Sequence, residues 1–503
     1  MADTDTLVLG SGLSGLSVAA LLAAKGEKVR VLEAHEHPGG YAHTFPMGKW
    51  SFCAQVHYIF SCGEGETIAR FLESLGLSRE VEFNRLDPEG FDHVVVAGER
   101  YRIPNGLDKY RERLIRKFPD EAPGLREFFR LMAATRDELE LFPAEPGWRD
   151  WVSVPFQFSH LMRERNHTLQ DVYDRLQLSA RLQTILAGQA GDYLLPPNGI
   201  SFLLHTALVT AYDRGAYYPK KHFKHLVDSI VKSITSKPGC EVLFEKRVEK
   251  IEVNGGQITG VKTNDGVVHT AKRYISNIDP KQTVALTGAE HFPSEYLKKM
   301  NYEYSMSAIT MYLATKDIDL RDFGFGSFNT WYYPHDDINA IYARQNDKTD
   351  FSNPWIFIST PSLHSSEPGL APPDSQTMIL ATNCASEPFC NLRKNDFQQY
   401  RKLKKEIHEH MLDAMEKNFI PNFRKHLAFD ISGTPPTNER YCLAPNGNAY
   451  GSALTPQNVK QRVPMETPIS NLWLCNASTG WPSVAGTIGT GMKLHEKLTG
   501  SRI

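Results

Sequence analysis

The chain is poor in the features that mark whole classes of protein. No run of about 18 uncharged apolar residues occurs among its 503 residues, so no membrane-spanning helix is expected. The seven cysteines (Cys53, Cys62, Cys240, Cys384, Cys390, Cys442, Cys475) form no Cys-x-x-Cys pair and no zinc spacing. That scatter predicts reduced thiols in a reducing compartment and no metal site. The formal net charge of −2 conceals no strongly basic segment, so no nucleic-acid partner is expected. Met1 to Asp5 carry no basic region and the first apolar run reads as a strand, so no secretory signal is expected. Hydrolytic signatures are missing too: there is no Gly-x-Ser-x-Gly at a strand–helix turn, no His-Glu-x-x-His, and no supportive Cys–His spacing. Neither internal repeats nor low-complexity tracts are present.

What is present is concentrated at the start. Thr6–Leu9 is a short apolar run that reads as a buried strand, followed at once by Gly10-Ser11-Gly12-Leu13-Ser14-Gly15. Leu16–Lys25 then reads as a helix, and Lys28–Leu32 as a second strand ending in Glu33. This is the dinucleotide-binding arrangement. Gly10 permits the tight turn, Gly12 lets backbone approach a pyrophosphate, and Gly15 lets helix pack on strand. The helix N-terminus faces the phosphates and Glu33 accepts from ribose hydroxyls. An acid at that position disfavours a 2′-phosphate and so NADP. Gly39-Gly40, shortly after Glu33, predicts a turn whose backbone N–H groups reach the cofactor, a pattern that favours FAD over NAD. Only one such fingerprint exists, so no dedicated nicotinamide domain is expected.

At this length two or more domains are expected. Helices are predicted over 67–77, 106–118, 122–141, 167–188, 202–212 and 403–419, and strands over 306–314, 355–360 and 377–383. Asn254-Gly255-Gly256 and Asp265-Gly266 mark two tight turns of a β-meander. Pro435-Pro436 and Pro445-Asn446-Gly447 read as turns, and Trp148, Trp151, Phe156, Phe158, Leu161 and Met162 form an apolar cluster. That cluster has two readings, a segment packed on the core or a greasy entrance at a membrane face.

Several segments carry a resemblance. GSGLSGLSVAALLAAKGEKVRVLEAHEHPGGYAHTF (10–45), VHYI (56–59), GAYYPK (215–220), ETPISNLWLCNAST (466–479) and GTIGTGMKLHEKL (486–498) resemble the phytoene desaturase-like flavoproteins, and within them the retinol saturase and carotenoid cis–trans isomerase branch. The resemblance implies an α/β fold: a Rossmann-like FAD-binding domain of the glutathione reductase/amine oxidase type with a discontinuous α+β substrate domain. The FAD domain is expected over 1–65, 226–290 and 441–503, and the substrate domain over 66–225, mostly helical, and 291–440. The resemblance places Gly10, Gly12, Leu13, Ser14, Gly15, Glu33, Ala34, Gly39, Gly40, Tyr41, His43, Thr44 and Val56 at FAD. Val248 takes the place of a valine that meets adenine, and Asn277 ends the strand passing beneath the cofactor. Asn476, Ala477, Val484, Ala485 and Gly486 complete the set, with the last helix aimed at the flavin. After Tyr218-Pro219 the family usually has a basic residue and two glycines. Here Lys220-Lys221-His222-Phe223 stand instead, which predicts a reshaped substrate side.

The implied activity is FAD-dependent reduction, desaturation or isomerisation of C=C bonds in a long apolar polyene, with hydride exchanged through flavin N5. A retinoid or carotenoid is implied, and a polyunsaturated fatty acid stays open. Two other readings stand beside it: an amine-oxidase-like flavoenzyme, and a non-catalytic prenyl-lipid carrier on the same scaffold. For the proton such chemistry needs, His57, Tyr58 and His222 are the candidates, with Tyr217, Tyr218 and Trp481 behind them. Lys220, Lys221 and Lys224 read as a solvated patch or a partner for a lipid carboxylate. A cytoplasmic protein with peripheral membrane contact is expected. Ser501-Arg502-Ile503 distantly resembles the peroxisomal Ser-Lys-Leu address.

Overall fold

A computed structural model describes residues 3–142, 157–366 and 369–503. Trp148, Trp151 and Phe156 of the apolar cluster lie outside the described residues. Phe158 and Leu161 are buried, and Phe158 packs edge-on to Phe142.

Five parallel strands form the first sheet, in the order Leu472–Leu474, Ala271–Ser276, Thr4–Leu9, Val29–Leu32, Glu241–Leu243. The central Thr4–Leu9 strand is buried on both faces, as a parallel strand covered by helices must be. The Leu13–Ala24 helix is apolar all round because it is sandwiched: every residue from Leu13 to Ala23 is buried. It packs on the Val484–Thr499 and His222–Thr235 helices. The approach to the C-terminal helix is close, since a Cβ on Gly491 would lie 2.8 Å from the Ser14 carbonyl oxygen.

The meander is a three-stranded antiparallel sheet, Val248–Asn254, Gln257–Thr263 and Val268–His269. A larger seven-stranded sheet runs in the order Leu427–Gly433, Ser307–Lys316, Ser375–Cys384, Ile356–Ser359, Asn329–Tyr333, Asp92–Val96, Glu99–Ile103. It is antiparallel except between Asp92–Val96 and Asn329–Tyr333.

The segment 66–225, expected to be mostly helical, also supplies the Asp92–Val96 and Glu99–Ile103 strands to the large sheet, and Phe83–Arg85 to a two-stranded pair with Tyr217–Pro219. Two expectations need correction. The 167–188 helix is two helices, Leu169–Arg175 and Ala180–Leu186. Gln177 breaks it with φ +55°, and Ser179 caps the second by accepting from the Leu182 N–H. Pro435-Pro436 is not a turn but the start of the Pro435–Cys442 helix, where proline is at home in the first helical turn. Among the described residues no helix is long and apolar enough to cross a membrane.

Candidate active site

One large cavity, about 1010 Å³, runs along the C-terminal edge of the parallel sheet. That volume is at the top of the range of about 300–1,000 Å³ usual for small-molecule sites. It joins two regions of different make-up.

The first is a cradle of backbone. Gly10 (φ +99°) turns the chain out of the first strand, and Gly12 caps the following helix with no side-chain hydrogen bond. No acid occupies the first turn of that helix, which leaves its N-terminus available to an anion. Asn277 fixes the turn from below: its Oδ1 accepts from the Gly12 N–H at 2.9 Å, and its Nδ2 donates to Ser14 Oγ and the Cys475 carbonyl, both at 2.7 Å. A Cβ on Gly15 would sit 2.6 Å from the Gly10 carbonyl oxygen and 2.9 Å from Asn277 Cβ. Glu33 accepts from the Ser11 N–H (2.8 Å), the Ser11 hydroxyl (2.5 Å) and the His35 N–H (2.8 Å). A carboxylate has about four acceptor positions, so one remains for a ribose hydroxyl.

Of the residues expected at the cofactor, Gly10, Gly12, Leu13, Ser14, Glu33, Ala34, Gly39, Gly40, Tyr41, Val56, Val248, Asn277, Asn476, Ala477, Val484, Ala485 and Gly486 line this cavity. Gly15, His43 and Thr44 do not. Gly15 acts as a packing position, while His43 folds back so that its Nδ1 meets the Gly40 carbonyl at 2.6 Å. Burial pushes the His43 ring down to about 4, so it is neutral at physiological pH. The Gly39 N–H is not free for a cofactor, because it donates to the Ser11 carbonyl at 3.0 Å. At the other side Ser483 caps the last helix by accepting from the Gly486 N–H at 3.0 Å. The N–H groups of Val484 and Ala485, which have no intrahelical acceptor, remain at the cavity wall.

Sequence reasoning missed the cations here. Lys246 and Arg247 line the cavity near Val248, Lys246 paired with Asp265 at 2.6 Å. Arg462 donates to the carbonyls of Ala477 and Gly480, holding the turn before the last helix, and lies over the Trp481 ring at 4.8 Å. Burial lowers its guanidinium to about 10. No local pattern announces it, since its partners are 15 and 18 residues away.

The second region is a wall of side chains, formed by Leu204, Leu208, Ala211, Tyr212, Trp331, Trp355 and Phe357. His57 and Tyr58 stand on it, His57 against Phe357 (5.4 Å between ring centres) and Tyr58 stacked on Tyr212 (4.7 Å). Burial drives the His57 ring down to about 3, so it is neutral and cannot serve as an imidazolium acid near neutrality. Tyr58 is held between two carboxyl groups that sequence reasoning did not find, Asp92 at 3.0 Å and Asp192 at 2.6 Å.

His222 is not brought to the cavity. It is buried beside Thr44, 3.4 Å from that hydroxyl, with φ +76°, and burial lowers its ring to about 4. Tyr217 and Tyr218 also stand off the lining, whereas Trp481 is on it. The Lys220–Phe223 departure therefore does not shape the cavity wall. Lys220 pairs with Glu82 at 2.9 Å and Lys224 with Asp228, so neither waits at a cavity mouth for a carboxylate.

The cradle fits FAD. A Cβ on any of its three fingerprint glycines would crowd Asn277, an uncapped helix end would hold the phosphates, and the remaining acceptor position of Glu33 would take a ribose hydroxyl. The flavin containing amine oxidoreductase family matches residues 13–328. All-trans-retinol 13,14-reductase of Danio rerio is 25% identical over 94% of this chain and 82% of its own. Prolycopene isomerase 2, chloroplastic, of an Oncidium hybrid cultivar is 23% identical over 89% of this chain and 75% of its own. Among solved structures, an oxidoreductase from Methanosarcina mazei shares the fold, with a TM-score of 0.66 and 18% identity over 98% of this chain and 100% of that one. The chain belongs to the flavin containing amine oxidoreductase family and is an FAD-dependent enzyme.

Proposed function

We propose that this enzyme reduces or isomerises C=C bonds of a long apolar polyene of the retinoid or carotenoid class. The observation that carries the reading is the aromatic and aliphatic wall, which continues directly from the FAD cradle inside one cavity. FAD supplies hydride exchange with a C=C bond when bound. The chain's own residues bury the polyene: Leu204, Leu208, Ala211, Trp331, Trp355 and Phe357 all line this part of the cavity. At roughly 25 cal/mol per Å² of apolar surface, such a wall favours a long hydrocarbon strongly. A small hydrophilic amine would leave most of it uncovered. The likeness to a retinol reductase and a prolycopene isomerase supports the same class. Such a substrate has little solubility in water, so peripheral contact with a membrane on the cytoplasmic side is its proposed source.

The test is anaerobic incubation of the flavin-loaded, reduced protein with all-trans-retinol, a poly-cis carotenoid or linoleic acid, followed by product chromatography. A dihydro or isomerised product from either polyene is expected. Turnover of a diamine by the oxidised enzyme in air, with no change in any polyene under the reducing conditions, would overturn the reading.

A further inference from the structure

At the wall end of the cavity one side chain is out of keeping. Among the described residues lining that end, from Gly191 to Leu194, Leu204 to Tyr212, and Trp331, Trp355 and Phe357, Asp192 alone carries an ionisable carboxyl. It is only partly buried, whereas its partner Asp92 is 0% exposed.

The proton count in this cluster is decisive. Tyr58 has one hydroxyl proton but lies within hydrogen-bond distance of Asp92 Oδ2 (3.0 Å) and Asp192 Oδ2 (2.6 Å). One of those contacts must use a proton from a carboxyl group. Asp92 already accepts from Gln189 Nε2 at 2.7 Å and from Asn329 Nδ2 at 3.2 Å, which suits its ionised form. Asp192 has no such donors, and no basic side chain pairs with either carboxyl among the described residues. Burial and the neighbouring Asp92 both raise Asp192 well above the ordinary carboxylate range. The extra proton therefore sits on Asp192 Oδ2, which donates to the Tyr58 oxygen, and Tyr58 in turn donates to Asp92. That arrangement leaves Asp192 Oδ1, which has no protein partner among the described residues, as a carbonyl-type acceptor at the cavity wall.

We propose that Asp192 is the headgroup-recognition residue of the substrate cavity, accepting the hydroxyl of a lipid alcohol and excluding a carboxylate. An alcohol donates to Oδ1. A carboxylate has no proton to give, presents only acceptors, and brings a second negative charge against Asp92. This rests on the reading of the cavity as the site of a long apolar substrate, and it decides against the free fatty acid that the sequence leaves open.

The experiment measures binding to the FAD-loaded protein by perturbation of the flavin absorbance, at neutral pH, for two ligand pairs: all-trans-retinol with all-trans-retinoate, and dodecanol with dodecanoate. Wild type is expected to bind each alcohol about tenfold or more tightly than its acid. Asp192→Asn, which keeps an N–H toward Tyr58 and a carbonyl oxygen at the Oδ1 position, should keep that ratio, whereas Asp192→Leu, with no acceptor, should bring it within about twofold. The infrared C=O stretch of a protonated carboxyl, present in wild type and lost in Asp192→Asn, reports the proton without any ligand. Should the variants fail to hold FAD, the wild-type ratio and the infrared band decide alone. Equal binding of alcohol and acid, or absence of that band, would overturn the assignment. Discrimination within the saturated pair without polyene binding would sink the polyene reading and leave this one standing. Binding of nothing in either pair would remove both.

Discussion

The two ends of the cavity are built by different means. The cradle is made mostly of main chain: the Gly10–Gly15 turn, which Asn277 locks, the first turns of two helices, and one carboxylate. The wall is made of side chains from segments far apart in sequence, such as Tyr58, Asp192, Tyr212, Trp331 and Phe357. The cradle recognises a phosphate and a ribose, whose geometry is fixed, so rigid backbone suits it. The wall recognises a shape and one polar group, which side chains can alter without disturbing the cofactor. Substrate specificity therefore resides in the wall, and cofactor binding in the cradle.

Breaking the cradle should have the largest effect. Gly15→Val drives methyl groups into the Gly10 carbonyl and Asn277, neither of which can retreat, and the protein should purify with almost no flavin absorbance per polypeptide. Breaking the wall should separate the two ends. Leu208→Glu places a charge among apolar side chains while leaving the cradle alone. It should keep full flavin content and lose about 100-fold in kcat/KM for a polyene, a burden of roughly 2.7 kcal/mol.

Those variants also show which end was legible. Gly10, Gly12, Gly15 and Glu33 were readable because a backbone that closely approaches a ligand leaves a local signature of glycine and a terminal acid. The Asp92–Val96 strand was not. His-Val-Val-Val is too short to betray its period, and its parallel partner Asn329–Tyr333 lies more than 230 residues on. Asp92 reads in sequence like any solvated acid, and only Tyr58, Gln189 and Asn329, brought from three distant segments, make it a buried one. His222 failed the other way: its place beside Tyr218-Pro219 suggested a catalytic group, but the left-handed backbone there turns it toward Thr44.

A smaller effect concerns stability. Burial holds His205 down to about 3, and its Nε2 has no partner. The folded protein therefore refuses a proton that the unfolded chain accepts at about 6.5. Below that value the unfolded state binds more protons, so the stability present at neutral pH is lost as pH falls from 6.5 toward 3. Asp92, raised to about 7 by burial, has the opposite sign. The folded state holds the proton that the unfolded chain releases, so its contribution is present below about 4 and is lost as pH rises to 7. Urea melts across this range should show a His205→Phe slope flatter on the acid side, and an Asp92→Asn slope flatter on the rise toward neutrality. Each change should amount to a few kcal/mol at most, at about 1.4 kcal/mol per pKa unit.

The smallest effect is expected at His222. Since its ring stands off the cavity, His222→Phe should leave kcat for a polyene within about twofold of wild type, by product chromatography. A loss of about 100-fold would bring the residue back to the chemistry and blur the contrast between the two ends.

The central claim is that one cavity brings FAD and a polyene together. Its most direct test is a single anaerobic turnover: reduce the bound flavin, add one equivalent of all-trans-retinol or a poly-cis carotenoid, and follow the flavin spectrum and the product in the same sample. Either return of the oxidised flavin spectrum with one equivalent of dihydro product, or an isomerised polyene with the flavin still reduced, is expected. A reduced flavin that only oxygen can reoxidise, beside a polyene recovered unchanged, would contradict the claim.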